Sequence, residues 1–256
     1  MRVEAFILHL RRATARRDNA LALLDNCGLA GEIWPAVDGA AMSSTDLEGG
    51  IGAYLFEPDY PFTLKAGEVG CFLSHRQIWA EMQVREADAA LIIEDDATLD
   101  PALFATALTL ATEHIDRLGY IQFQTRHHKG RSTLVDKAGE AALVVPELGG
   151  LRTTAQMVSK RAAAHLLALS EVMDRPVDTF VQSHWHTGLR PAALFPSGVQ
   201  DIADQLDGST IQGGRKSFIS KIGREIARGR YRSAVARLSR RSTAPEAGGF
   251  AGQGPT

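Results

Sequence analysis

Long apolar runs, cysteines and aromatic residues are all scarce in this chain, and each scarcity excludes something. No segment approaches the ~20 consecutive apolar residues of a membrane-crossing helix. The opening MRVEAFILHLRRA holds about eight mostly apolar residues before His9, too few for a signal-peptide core. The expectation is a cytoplasmic protein, soluble or peripheral. Two cysteines, Cys27 and Cys71, offer no disulfide framework and no metal-ligand spacing, and read as reduced thiols. Aromatics make up only 7%, yet hydrophobic residues reach 45%, which is enough to bury a core and exclude general disorder. A length of 256 residues suits one large α/β domain with an appendage, or two small domains.

Acidic and basic residues nearly balance, for a formal charge of −2, but they are unevenly placed. Residues 215–241 carry ten Lys/Arg and one acid, Glu225, whereas residues 1–214 carry 18 basic and 28 acidic side chains. An acidic body lacks the phosphate-binding field that nucleic acid requires. The basic tail suits an anionic surface instead. Within it Phe218, Ile219, Ile222 and Ile226 share one helical face, and Tyr231, Val235 and Leu238 a second. That is the pattern of an interfacial helix on anionic lipid, or of a helix docked on the acidic body of its own chain. Residues 242–256, rich in Gly, Pro and Ala, read as a disordered end.

What is present is an alternation of strands and helices. VEAFIL (3–8) reads as a strand and residues 14–27 as a helix stopped at Gly28; EIWPAV (32–37) is a strand confined to an edge by Pro35. Residues 40–66 show no period. A helix capped by Ser74 runs to about Ala87, and a second opens at Asp100-Pro101 over 102–114. YIQFQ (120–124), ALVV (142–145) and 154–158 are further strands, followed by a helix over 160–173. This order predicts βαβ units and a mostly parallel sheet.

Residues 89–99, AALIIEDDATL, concentrate the chemistry. The continuous apolar run predicts a strand buried on both faces. Ligands of open α/β sheets bind outside the carboxyl ends of such strands, where Glu94, Asp95 and Asp96 stand together. Read blandly, the triplet is a solvated acidic loop. Read functionally, hard oxygen ligands hold Mn²⁺ or Mg²⁺, and the ion accepts substrate phosphate. Successive side chains alternate at a strand end, so all three acids cannot face one ion.

GEVGCFLSHRQIW (67–79) followed by ALIIEDDATL (90–99) resembles the paired signature of glycosyltransferase family 25, the lipooligosaccharide-type sugar transferases. FILHLRRATARR, AVDG (36–39) and PVDTF (176–180) match in order, so the resemblance covers about residues 3–215. It implies a GT-A-like, Rossmann-type sheet over 1–214, followed by the basic helical tail 215–241. It further implies Mn²⁺ dependence, a UDP-galactose-type donor, inversion at the anomeric carbon and a lipid-linked oligosaccharide acceptor. An enzyme of that kind would sit peripherally on the inner face of the cytoplasmic membrane. The alternatives are a non-catalytic sugar- or nucleotide-binding protein of the same fold, and a phosphoryl-transfer or receiver-type domain. A P-loop and a lysine well placed after the acids are both missing, which weakens the last.

Fitted to the resemblance, Asp96 is the first metal ligand, with His186 completing the coordination, while Glu94 and Asp95 approach the ribose or stand behind the ion. His184 and His186, two apart, do not share a helix face and so form no two-histidine site. Ser74 at a helix start, His75 beside it, Asp38, Gly39, His9 (where the family usually has Asn) and Arg11 are the remaining donor-binding candidates. Gly67 and Gly70 allow close backbone approach. Of Arg11, Arg12, Arg16 and Arg17, one or two would reach the diphosphate. Asp178 is the candidate base for the acceptor hydroxyl, or else an N-cap of a helix 179–184. Trp185 stacks on an acceptor sugar or belongs to the core.

Overall fold

The structure, a computed structural model, describes residues 1–128, 130–206 and 218–250, and only the backbone of 218–222. In chain order it runs β1 (Val3–His9), α1 (Arg17–Asn26), β2 (Gly31–Pro35), α2 (Ser44–Gly49), α3 (Ala66–Val84), β3 (Ala89–Glu94) and β4 (Ala97–Leu99). Next come α4 (Pro101–Leu118), β5 (Tyr120–Phe123), β6 (Ser132–Ala138), β7 (Ala141–Pro146), β8 (Ala155–Ser159), α5 (Lys160–Leu169), α6 (Val177–Gln182) and α7 (His184–Thr187). The chain continues through β9 (Leu189–Arg190), β10 (Ala192–Phe195), β11 (Val199–Asp201), α8 (Ala203–Leu206), α9 (Phe218–Arg241) and β12 (Gly249–Phe250).

Eight strands form one sheet in the order β2-β1-β3-β8-β5-β10-β7-β6. β2, β1 and β3 are parallel, as are β5 and β10, while β8 and β7 run against their neighbours. Six of the eight therefore point one way, giving a mostly parallel α/β sheet. Alternation along β1 and β3 explains their unbroken apolar runs. Ala5, Ile7, Leu91 and Ile93 pack on one face with α1 and α4, and Phe6, Leu8, Ala90 and Ile92 pack on the other with α3 and α5. Burial of each such Leu, Ile or Phe side chain contributes about 2 kcal/mol. β2 lies at the edge, with Pro35 as its last residue.

α4 begins as expected, with Asp100 Oδ1 accepting from the Ala102 and Leu103 N–H groups ahead of Pro101 at the first turn. α3 does not. It starts at Ala66, where the Lys65 N–H donates to Glu68 Oε2 at 2.8 Å, more than two turns before Ser74. Ser74 is therefore no cap: it is buried in mid-helix, donating to the Gly70 carbonyl (2.7 Å) and accepting from the Val37 N–H (2.8 Å). The early glycines hid the helix start. Gly70 serves packing, since a Cβ there would lie 2.6 Å from the Val37 oxygen and 2.8 Å from the Gly39 nitrogen.

The C-terminal segment also departs from expectation. Val235 and Ser239 are buried, and the Tyr231 ring meets Tyr60 edge-on. The helix face Tyr231–Leu238 therefore rests on the body of the chain and is not free for lipid. Ile226 is exposed, while the side chains of Phe218, Ile219 and Ile222 lie outside the described residues. Residues 242–250 are ordered, with β12 antiparallel to β9. Gly249 (φ +83°) passes so close to Arg117 that a Cβ would sit 2.5 Å from its carbonyl oxygen. Residues 251–256 lie outside the described residues.

Candidate functional site

β1 and β3 deliver His9 and Glu94 to the carboxyl edge of the sheet, and Asp95 and Asp96 turn the chain there. Side-chain alternation splits the acids. Asp95 faces α1: its Oδ2 meets His9 Nδ1 at 2.7 Å, and its Oδ1 accepts from Arg16 at 3.2 Å. Arg16 also donates to Asp96 Oδ2 at 3.0 Å. Asn19 pins the turn, donating to the carbonyls of Asp95 and Ala97, both at 2.8 Å. Glu94 faces α3, where Thr153 Oγ1 donates to its Oε1 at 2.6 Å and His75 Nε2 lies 3.9 Å away.

The electrostatics differ sharply between neighbours. Burial would raise the Glu94 carboxyl, but His75 and the Thr153 hydroxyl overcome it and hold the group below its usual range. Asp96 is pushed up to about 6 by burial and by repulsion from Glu94, with Asp95 and Asp201 adding to it; Arg16 opposes them. The cluster carries more negative charge than its own cation offsets.

The reversed strand β8 brings Thr153 and Thr154 to the same edge, where the Thr154 carbonyl accepts from the Glu94 N–H at 2.9 Å. Just before them stands Arg152, at φ +105°, a region that side-chain-bearing residues rarely occupy. Its N–H donates to Asp178 Oδ2 at 3.2 Å, and its guanidinium pairs with Asp201. Asp201 closes β11, opposite Ala97 of β4. Asp178 lies in the first turn of α6, whose N-cap is Pro176, so it is not a cap. Its Oδ1 accepts from the Thr179 N–H at 2.6 Å. Burial raises the Asp178 carboxyl, against hydrogen bonds from Thr179 and Arg152, and Glu94 adds repulsion. Beside Arg152 and Asp201 opens a polar cleft of about 640 Å³, lined also by Gln124, Arg126, Phe195 and Gln200.

Glu94, Asp95, Asp96 and Asp178 thus form one electrostatic neighbourhood. His9 belongs to it as a buried brace for Asp95, with 3% of its surface exposed and its ring not free for a base or ribose. Arg11 stands exposed in the turn after β1. Asp38 accepts from the Ala40 N–H and pairs with Arg12 at 2.6 Å; Gly39 packs so tightly that a Cβ would lie 1.8 Å from the Ala66 oxygen. Gly67 has no such neighbour. His75 is wholly buried on α3.

His186 does not join the acids. Its ring stacks on Phe56 (centroids 3.7 Å apart, planes 1° apart), and it lines a separate cavity of about 230 Å³ with Phe72, Arg175 and Phe180. The short helix α7 turns it toward these aromatic rings, so His186 is withdrawn as a partner of Asp96. Trp185 donates to the Glu57 carbonyl at 2.7 Å. Asn19, Arg152, Thr153 and Asp201 were missed by sequence reasoning, because only long-range pairing brings them to the turn.

The Asp96 carboxyl, crowded by Glu94, Asp95 and Asp201, is an oxygen donor of the kind that hard divalent cations take. Residues 3–181 match the model of a family described as "Glycosyltransferase family 25 (LPS biosynthesis protein)". A Drosophila melanogaster protein named "Glycosyltransferase 25 family member" is 33% identical over 187 residues, 69% of this chain and 29% of that protein. Mouse "Procollagen galactosyltransferase 2" is 36% identical over 121 residues, 44% of this chain and 19% of that one. Human "Inactive glycosyltransferase 25 family member 3" is 38% identical over 102 residues, 38% of this chain and 17% of that one. The chain therefore spans less than a third of the length of these curated relatives.

Proposed function

This chain belongs to glycosyltransferase family 25, and on that premise we propose that it moves a hexose, galactose by preference, from a UDP-sugar to a saccharide hydroxyl with inversion. The observation that carries the reading is the excess of carboxylate charge where β3 ends, with Asp178 held nearby. Relatives named galactosyltransferases support the choice of sugar. The family's description favours a lipid-linked surface glycan as acceptor.

Asp96 would hold Mn²⁺ or Mg²⁺, with the diphosphate and water supplying the other oxygens. When bound, such an ion neutralises charge on the diphosphate leaving group. The chain's own residues do the rest. Arg16, if freed from Asp95 and Asp96 by the ion, would meet the diphosphate. Glu94 remains for the ribose. The acceptor oxygen bonds to the anomeric carbon as its proton passes to an Asp178 oxygen. The bond from that carbon to the diphosphate breaks, and UDP leaves with the electron pair. A single displacement of this kind inverts configuration. A carboxyl raised by burial is a stronger base than one in water, which suits Asp178 to the task.

The test is UDP-galactose turnover with Mn²⁺, compared between wild type and Asp96→Asn. At least a hundredfold loss in the variant, with an unchanged circular dichroism spectrum, is expected. Full activity in the variant, or binding of UDP-galactose without turnover in wild type, defeats the proposal; the latter outcome matches the relative named inactive.

Peripheral attachment at the inner face of the cytoplasmic membrane is part of the same proposal. Among the described residues no helix is long and apolar enough to cross a membrane. Arg230, Arg232, Arg237, Arg240 and Arg241 stay exposed on α9. Each would contribute about 1 kcal/mol near an anionic surface. Arg232→Glu with Arg237→Glu should release the protein from phosphatidylserine vesicles in a sedimentation assay, and undiminished binding overturns this attachment.

A further inference from the structure

Glu94 turns away from Arg16 and toward two side chains that share a face of α3, Cys71 and His75, one helical turn apart. Cys71 Sγ lies 3.8 Å from Glu94 Oε1, and His75 Nε2 lies 3.9 Å from it. All three donor atoms fall within 4.8 Å of one another. His75 is wholly buried, and its Nε2 has no hydrogen-bond partner. A bare imidazole nitrogen aimed at a thiol and a carboxylate is costly unless something binds it.

We propose that Cys71, His75 and Glu94 form a binding site for a thiophilic divalent cation of the zinc class, separate from the hard cation at Asp96. Sulfur, imidazole nitrogen and one carboxylate oxygen make a zinc-type donor set, whereas Mn²⁺ and Mg²⁺ prefer oxygen alone. Tetrahedral ligation with bonds of 2.0–2.3 Å places donor atoms about 3.4–3.6 Å apart. From 3.8 and 3.9 Å, the Cys71–Glu94 and His75–Glu94 pairs need to close by only a few tenths of an ångström.

A second layer of support is present. Gln156 Nε2 lies 3.3 Å from His75 Nδ1, and the Gln156 Oε1 has no partner. With its amide turned over, Gln156 accepts from the Nδ1–H and fixes the tautomer that leaves the Nε2 lone pair toward the site. Thr153 orients Glu94. Cys71 and Glu94 are only partly buried, so an ion can enter from the site edge.

Glu94 is also the residue proposed to meet the donor ribose, so the test reads the metal and not turnover. The reduced protein is titrated with Co²⁺ and followed by absorption. One equivalent should produce a thiolate-to-cobalt charge-transfer band with tetrahedral visible bands, bleached by Zn²⁺ and untouched by excess Mn²⁺. Cys71→Ser should remove the charge-transfer band and Cys27→Ser retain it. His75→Gln should weaken Co²⁺ binding at least tenfold. A wild type without the thiolate band overturns the proposal, and so does a band that survives Cys71→Ser.

Discussion

His184 ties the C-terminal segment to the body, and its protonation offers a measurable lever on stability. The ring is 1% exposed; Nδ1 meets Ser242 Oγ at 2.8 Å, and Nε2 meets the Glu147 carbonyl and Ser239 Oγ, both at 3.1 Å. Burial, then repulsion from Arg190, lowers its pKa from 6.5 to about 4, against the Glu147 hydrogen bond. The unfolded chain therefore binds the proton more readily between these values. Stability is full above pH 6.5, falls as pH drops through the window, and levels off below about 4. Linkage between pH 7 and pH 5 gives a loss of about 2 kcal/mol from this side chain alone. In a chain of this size that corresponds to a fall of roughly 4–8 °C in Tm.

His184→Gln keeps a hydrogen-bonding side chain but cannot titrate. Thermal or urea unfolding of both proteins at pH 7 and pH 5 cancels every other titrating group, and the wild type should lose about 2 kcal/mol more than the variant. Equal losses would refute the assignment of a buried, neutral His184 and the anchoring built on it.

Two further outcomes follow from the site. Because the Asp96 carboxyl is pushed up to about 6, Mn²⁺ affinity measured by calorimetry should weaken about tenfold from pH 7 to pH 5, as protons compete for the ligand; a flat profile would remove Asp96 from the cation site. Arg152→Gly should leave Tm unchanged or higher, because relief of the φ +105° backbone, about 1–2 kcal/mol, offsets the half-exposed pair with Asp201. Its turnover should fall at least tenfold through loss of the Arg152–Asp201 pair at the edge of the cleft, and retained turnover would show that this pair has no part in the site.

The interior strand and its acids were legible because local pattern alone specifies them: four apolar residues, then three carboxylates. The alternation that separates Glu94 from Asp95 follows from strand geometry and appears as expected. The start of α3 was not legible, since the need for glycine at position 70 arises from Val37 and Gly39, distant in sequence. Asp201 and Arg152 were invisible for the same reason: the pairing of β11 with β4 and the reversal of β8 place them. Composition misjudged residues 242–250. Their glycines are required by close packing against Arg117 and Leu118, not by disorder.

The reversed strand β8 has a further consequence. Residues 148–152 precede every ladder of the sheet on this side, Ala155 being the first to pair, and they end at Arg152 on the rim of the cleft. Insertions or deletions in this stretch would reshape the rim of the cleft while every strand kept its register. The shape of the cleft and the stability of the sheet can therefore change separately, and the short run Leu148–Arg152 is where a graft would alter the one at least cost to the other.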